Sequence, residues 1–159
     1  MNPDTFFMDT IEIHPHKFFV PSNAQVIIIG SFPGRGHATE SDSEWFYESK
    51  RNQFWKIISA VYQRELYDVT QKKNLFTEKG IAIGDLFYKV KRTKNNNSDS
   101  SLQVIEYNDK ALSKIFKTKK FQNIFFTSKF IEKEFKKLFP VMENIASLPS
   151  PSPRVATIS

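Results

Sequence analysis

The 159-residue sequence contains no cysteine, and this absence removes several chemistries at once. Disulfide bonds, thiolate zinc sites, iron–sulfur clusters and cysteine nucleophiles are all excluded. Absence of cysteine fits a reducing compartment, so we expect a cytoplasmic protein. The first residues lack the basic segment and apolar stretch of a signal peptide. The longest apolar runs are far too short to cross a bilayer, and we expect no membrane contact.

Acidic side chains are the minority charge, with 17 Asp and Glu against 23 Lys and Arg, which gives a net charge of +6. A small basic protein attracts polyanions, chiefly nucleic acid, although many basic proteins bind none. Aromatic residues are plentiful, at 14% of the chain with 16 Phe. Together with 40% hydrophobic residues they suffice for one core, and the length fits a single domain over residues 1–159.

Short apolar runs alternate with helical patterns along the chain. The runs that predict buried strands are 25–30, 81–86, 121–127 and 145–148. The segments with helical spacing or capping signals are 52–66, 70–79, 109–116 and 128–139. The polar stretch 91–101 has no periodicity and predicts a loop. This alternation predicts an α/β fold with a parallel sheet and helices on both of its faces.

Notable segments follow the ends of the predicted strands, where sites gather in such folds. The first strand leads into the segment 30–34, GSFPG, and Asp85 lies late in the second strand. A Gly/Pro turn after a strand can aim backbone N–H groups at an anion or a base edge. The segment matches neither a Walker loop nor a dinucleotide fingerprint, and an ordinary turn is the alternative.

A polar loop follows, and two of its features suggest binding. Trp45, Phe46 and Tyr47 are consecutive, and one or more of these rings could stack on a flat ligand; the alternative is a local mini-core that closes the loop. Asn52 stands where a helix begins. It is either the N-cap of that helix or an amide that holds a water molecule or a base edge.

The segment 149–153, PSPSP, follows the last predicted strand directly. Alternating prolines hold the backbone extended, so the serine hydroxyls are presented for phosphate contact at little ordering cost. A proline-rich tail is the alternative. His14, His16 and His37 match no common metal-ligand spacing, and we expect loop or surface roles for them, with no metal and no cofactor.

Taken in this order, the segments resemble the uracil-DNA glycosylase superfamily, and within it the deoxyinosine (hypoxanthine) branch. The matching pieces are 14–15, 20–21, 27–34, 46–47, 52–55, 80–85, 98–100 and 148–153, which span most of the chain. The resemblance implies a three-layer α/β/α sandwich around a four-stranded parallel sheet. It also implies metal-free hydrolysis of the N-glycosidic bond of a damaged base, in the first place a deaminated one, that is flipped out of DNA.

The resemblance also implies residue roles. Asn52 becomes the catalytic amide, which orients rather than removes a proton because an amide is a weak base. The base pocket is formed by Gly30, Ser31, Phe32, Phe46 and Tyr47, with Phe46 or Tyr47 stacked on the base. The DNA backbone is contacted by Pro149, Ser150, Pro151, Ser152, Arg154 and Lys129. We expect a monomer that works on damaged DNA in a prokaryotic cytoplasm, at the nucleoid.

The sequence departs from the superfamily at two positions. Several branches hold the attacking water with Asp or Asn where this chain has Phe32, and some begin the last motif with a polar residue where it has Leu148. Catalysis then falls to Asn52 or to another group. Both departures favour an alternative, a non-catalytic nucleic-acid-binding module. A nucleotide or nucleoside binder on the same fold class is a third possibility.

Overall fold

Two sheets and the helices around them organise the part of the chain that the structure describes, which is residues 10–34, 45–48, 52–94 and 98–148 of a computed structural model. The parallel sheet contains β2 (Val26–Gly30), β3 (Ile81–Asp85), β6 (Asn123–Phe126) and β7 (Ile145–Ser147), in the order β3-β2-β6-β7. The antiparallel sheet contains β1 (Glu12–Ile13), β4 (Phe87–Arg92) and β5 (Leu102–Tyr107), in the order β1-β4-β5. The helices are α1 (Phe54–Tyr62), α2 (Val69–Lys79), α3 (Asp109–Thr118) and α4 (Lys129–Leu138).

The parallel sheet is the middle of three layers. Successive side chains of β2 point to opposite faces, so Ile27 and Ile29 enter one half of the core and Ile28 enters the other. Helices α3 and α4 cover the first face, and α1 and α2 cover the second. Their buried contacts include Leu112, Ile131 and Phe135 on one side, and Trp55, Leu75 and Phe76 on the other. The expected α/β/α sandwich with four parallel strands is confirmed.

The helix ends follow the sequence signals closely. Asp68 and Gln71 form a capping box at the start of α2, and Gly80 ends that helix in the left-handed conformation with φ 70°. The Ser128 hydroxyl accepts from the Ile131 N–H at the start of α4. Within the described segments, no helix is both long enough and apolar enough to span a bilayer.

The antiparallel sheet was not predicted, and the loop predicted over 91–101 is wrong at both of its ends. Lys91 and Arg92 complete β4, and Asp99–Ser101 form a short 3-10 turn. Strand β4 was not predicted because one of its buried positions is charged: Val90 and Arg92 both point inward. A buried arginine needs a partner from elsewhere in the chain, which a local pattern does not reveal.

The segment that follows β1 is tied to the edge of the parallel sheet. Phe19 and Ile83 exchange both backbone hydrogen bonds, each 2.9 Å long, in an isolated antiparallel bridge. Directly after β1, the His14 N–H donates to the carbonyl of Tyr88 in β4 at 2.8 Å. These bonds fix the chain between β1 and residue 19 across the end of β3, and so place His14 beside that strand end.

Candidate functional site at the carboxyl edge of the parallel sheet

The register of the parallel strands collects polar groups at one edge. Gly30, the last residue of β2, lies directly opposite Asp85, the last residue of β3. Thr127 follows β6 and donates its backbone N–H to the Ile29 carbonyl at 3.1 Å. The carboxyl ends of parallel strands are the usual binding edge of such a sheet. The described part of the chain therefore has its candidate site here.

A buried histidine–aspartate pair occupies this edge. His14 Nε2 lies 2.6 Å from Asp85 Oδ2, and the two side chains are 1% and 6% exposed. The backbone N–H of His16 donates to His14 Nδ1 at 3.0 Å. Because Nδ1 accepts a hydrogen bond, the neutral ring carries its proton on Nε2 and donates it to Asp85. The expected loop or surface role of His14 is corrected: it lies in a loop, but its side chain is buried.

Two buried oxygens at this edge have no hydrogen bond of standard geometry to any described residue: Asp85 Oδ1, on the free side of the carboxylate, and Tyr47 Oη, which has only a weaker contact with the Thr127 hydroxyl. Both lie where a Cβ atom on Gly30 would stand, so they are neighbours and any side chain at residue 30 would overlap them. Buried polar groups are normally paired, and exceptions concentrate where ligands bind. The edge therefore offers an acceptor and a hydroxyl to a polar ligand.

The Tyr47 hydroxyl is held in its protonated form. Burial, and after it the charge of Asp85, raise the pKa of Tyr47 well above its ordinary value of 10.0. The nearby Thr127 hydroxyl opposes this shift without reversing it. At neutral pH the phenol is consequently a hydrogen-bond donor, whereas the neighbouring carboxylate oxygen is an acceptor.

The aromatic segment 45–48 is anchored on α1 and α2. The Trp45 ring stacks on Trp55 with centroids 5.6 Å apart, and Trp55 Nε1 donates to the Phe46 carbonyl at 2.6 Å. Tyr47 has a positive φ of 61° and packs against Phe54, with ring centroids 4.3 Å apart. Trp45 and Phe46 are buried, which favours the mini-core interpretation for these two rings. Tyr47 instead turns its polar end toward the strand edge.

A left-handed conformation at a non-glycine residue costs about 1–2 kcal/mol, and such strain is found most often at functional sites. The ion pair that Glu48 forms with the buried Lys72, 2.8 Å between Oε1 and Nζ, helps to hold Tyr47 in this conformation.

The segment 30–34 is held from the antiparallel sheet. The Ser31 hydroxyl donates to Asp99 Oδ1 at 2.6 Å, and Arg92 Nη2 donates to the Pro33 carbonyl at 2.8 Å. The buried Arg92 guanidinium is neutralised by Glu12, with 2.8 Å between Nε and Oε2. Because these anchors come from β1, β4 and the turn at 99–101, the unpredicted sheet is what gives the GSFPG segment its shape.

Asp99 is itself perturbed by this environment. Burial raises its pKa from the ordinary value of 3.8, and the charge of Asp85 adds to the increase. The hydrogen bond from Ser31 and the charge of Arg92 act in the opposite direction. Two carboxylates, Asp85 and Asp99, therefore influence each other across the GSFPG segment.

The remaining predicted site residues divide into two groups. Asn52 Oδ1 accepts from the Phe54 N–H at 2.8 Å, so its side chain satisfies the first N–H of α1 from one residue before the N-cap, Gln53. Phe32 is buried with its ring centroid 5.4 Å from that of His14, and Lys129 is exposed at the first position of α4. The proposed phosphate-contacting residues Pro149, Ser150, Pro151, Ser152 and Arg154 lie outside the described residues.

Sequence reasoning missed the central pair. A single carboxylate that ends the otherwise apolar strand Ile81–Asp85 was a visible signal, because a buried charge requires a partner. His14 lies 71 positions away and gave no local sign of being that partner. Within the described ranges, no group of three or more His, Asp or Glu side chains could hold a metal ion.

The chain matches no protein-family model and no curated protein sequence. Among solved structures it is similar to a solution NMR structure from Methanosarcina acetivorans that is described as a "putative Uracil DNA glycosylase". The TM-score is 0.72 at 18% sequence identity, and the likeness covers 94% of this chain and 90% of the other. At this identity the likeness establishes a shared fold, in agreement with the three-layer arrangement described above.

Proposed function

We propose that this protein is a DNA glycosylase, which flips a damaged base out of DNA and hydrolyses its N-glycosidic bond. The observation that carries the proposal is a pair of buried oxygens, Tyr47 Oη and Asp85 Oδ1, which have no hydrogen bond of standard geometry within the described ranges and lie at the carboxyl edge of the sheet. Support comes from the fold shared with the structure described as a "putative Uracil DNA glycosylase", and from the ordered sequence motifs. The net charge of +6 suits a polyanionic partner.

The reaction needs what this edge offers. As the base departs, C1′ takes on positive charge and the base takes on negative charge, so catalysis needs a positioned water and donors aimed at the base. The Asp85 carboxylate can accept from the water through Oδ1, and its charge favours the cation-like sugar. The Tyr47 hydroxyl can donate to the base. An acceptor at residue 85 would supply what Phe32 cannot.

In this proposal the base pocket is formed by the segment around Gly30, Ser31 and Phe32, and by Phe46 and Tyr47. Gly30 allows close approach because it has no side chain. The DNA backbone is contacted by Pro149, Ser150, Pro151, Ser152, Arg154 and Lys129. We propose a deaminated base as substrate, with hypoxanthine first, and a monomeric enzyme that acts on the nucleoid in a prokaryotic cytoplasm.

The test is a cleavage assay with labelled oligonucleotides that carry hypoxanthine, uracil, xanthine or mismatched thymine, followed by alkali to cut abasic sites. We expect cleavage at one or more of these bases. DNA binding without any cleavage would instead support the non-catalytic binding module, which Phe32 and Leu148 favour because neither supplies a polar group. Neither binding nor cleavage would overturn both functions.

The role of Asn52 can be separated from its capping role. Asn52→Asp keeps an oxygen for the Phe54 N–H and so preserves the helix cap, but it removes the amide N–H groups. We expect cleavage to fall by about 10²–10³-fold, as when one preorganised donor is lost, while the free energy of unfolding changes little. Asn52→Ala should lose activity similarly and also about 1 kcal/mol of stability.

Asn23→Ala is the matched control. The Asn23 amide donates to the Thr77 carbonyl at 2.8 Å, at the opposite edge of the sheet, so its loss should leave cleavage unchanged. Asn52→Asp activity equal to that of the wild type would assign Asn52 a capping role only.

A further inference from the structure

We propose that His14 is a positioning residue for this reaction: it holds the Asp85 carboxylate so that Oδ1 stays directed at Gly30 and Tyr47. The inference rests on the proposed glycosylase function, and it assigns a role to a histidine that would not itself touch the substrate. Its basis is the arrangement of hydrogen bonds around the imidazole.

The two carboxylate oxygens of Asp85 differ in their hydrogen bonding. Oδ2 lies 2.6 Å from His14 Nε2, whereas Oδ1 is buried without a partner among the described residues. The His16 N–H occupies His14 Nδ1, so the neutral ring can donate only from Nε2. The hydrogen-bond pattern thus fixes the tautomer, and the tautomer fixes which carboxylate oxygen is engaged.

The imidazole cannot easily turn away from this position. The rings of Phe32, Phe46 and His16 have centroids 5.4, 5.7 and 5.9 Å from its own. The backbone of His14 is fixed by its N–H bond to the Tyr88 carbonyl. Since the ring is already ordered, holding the carboxylate costs little further side-chain entropy.

The pair also keeps the site open. Tyr47 Oη and Asp85 Oδ1 both lie at the position that a Cβ of residue 30 would take, and a buried hydroxyl and carboxylate gain stability by bonding to each other. A carboxylate without His14 would be free to rotate and accept from Tyr47, which would occupy the oxygens that a substrate needs. The hydrogen bond from His14 holds the Asp85 carboxylate and so prevents it from bonding to Tyr47.

The charged and titratable groups that face the pair come from several elements. Asp85 interacts with the charge of Asp99 and with Tyr47, and Arg92, whose charge acts on Asp99, is paired with Glu12. Among the described residues, the imidazole of His16 also lies against that of His14. Because His14 engages Oδ2, Oδ1 of the Asp85 carboxylate remains available to the water and the cation-like sugar. When water adds to C1′, the glycosidic bond breaks and its electron pair leaves with the base. The water proton passes to Asp85 Oδ1 and from there to the released base.

The test compares His14→Leu and His14→Gln in single-turnover cleavage of the substrate that the wild type cuts. Leucine has a similar volume but no donor, so we expect the cleavage rate to fall by about 10²-fold, as a misplaced catalytic group would cause, with KM nearly unchanged. The Gln amide nitrogen can replace Nε2 as donor and should restore most of the rate. Leu112→Ala, in the core under α3, controls for stability: it should lower the melting temperature without lowering the rate of the folded protein.

A second readout is independent of catalysis and of any variant. Long-range ¹H–¹⁵N spectra of the wild type should show a proton on His14 Nε2 and none on Nδ1. A proton on Nδ1, or His14→Leu activity equal to the wild type, would overturn the positioning role alone. Absence of cleavage by the wild type on every substrate would overturn the proposed function and, with it, the role of His14.

Discussion

The two edges of the parallel sheet are built on different principles. At the amino edge, turn chemistry pairs the polar groups: the Gln25 N–H donates to the Gly80 carbonyl at 2.8 Å, the Gln122 N–H to the Gln25 carbonyl at 2.7 Å, and the Asn23 amide to the Thr77 carbonyl at 2.8 Å. At the carboxyl edge, Asp85 and Tyr47 each keep a buried oxygen without a partner in the described part of the chain. The amino edge uses its polar groups to bond the turns to one another, whereas the carboxyl edge keeps two polar groups to which a ligand could bond.

This difference separates stability from function within one sheet. A buried polar atom without a partner costs about 1–3 kcal/mol, which a purely structural edge has no reason to carry. Matched substitutions at the two edges should therefore have different consequences. Changes at the carboxyl edge should affect cleavage more than stability, and changes at the amino edge should do the reverse.

The largest effect is expected for Asp85→Asn. The substitution preserves size and an oxygen for His14 Nε2, but it replaces the carboxylate acceptor by an amide. We expect cleavage to fall by about 10²–10⁴-fold, the range for loss of a proton acceptor. Glu78→Gln is the control at the amino edge, where the carboxylate pairs with Arg64 at the surface. It should cleave like the wild type; equal losses in both variants would remove the distinction between the edges.

The next effect is expected for two glycines. Gly30→Ala would push a methyl group into Tyr47 Oη and Asp85 Oδ1, so we expect an activity loss of about 10²-fold from the displaced groups and a stability loss of about 1–3 kcal/mol from overpacking. Gly80→Ala places a side chain at φ 70°, which costs about 1–2 kcal/mol of stability. Its cleavage rate, measured on the folded fraction, should stay at the wild-type value. A rate that falls in Gly80→Ala but not in Gly30→Ala would contradict the assignment of the site.

Tyr47→Phe should have a smaller effect, and it should lower the cleavage rate without lowering the stability. In the described part of the chain the phenol oxygen is buried with no hydrogen bond of standard geometry, so its removal should leave the free energy of unfolding equal or higher. Cleavage should fall by about tenfold, because one neutral hydrogen bond to the base is lost. Denaturant unfolding and single-turnover rates measure the two quantities. Reduced stability with unchanged cleavage would show that the hydroxyl is structural.

Local patterns predicted the parallel sheet well because each of its elements carries its own signal. The strand at 26–30 is a run of β-branched residues, and α2 has both a capping box and a terminal glycine. Such signals depend on neighbours within a few positions. The order of the four strands, β3-β2-β6-β7, has no such local signal and was not predicted.

The antiparallel sheet and the site could not be predicted in this way. Arg92 is buried because Glu12, 80 positions away, neutralises it, and Asp85 is held by His14, 71 positions away. Asp85 at the end of an apolar strand signals that a partner is needed, but nothing near either residue in the sequence identifies that partner. Only the fold brings the partners together, so the sequence indicated the edge at which the site lies but not the histidine–aspartate pair within it.

The smallest expected effect is a difference in pH dependence between the edges. Asp99 has a raised pKa in the folded protein, chiefly through burial. Above pH 3.8 the unfolded chain releases this proton before the folded one does, so the contribution of Asp99 to stability falls as pH rises. Glu78 at the amino edge has a pKa lowered from 4.5 by Arg64, so its contribution is present above that pH and is lost on acidification. Urea unfolding should be measured from pH 3.5 upward. As pH rises, Asp99→Asn should gain stability relative to the wild type, whereas Glu78→Gln should lose stability relative to it. The loss in Glu78→Gln should shrink in high salt because the Arg64–Glu78 pair is exposed. Parallel trends in the two variants would mean that the environment of Asp99 is not the desolvated one that sets the carboxyl edge apart.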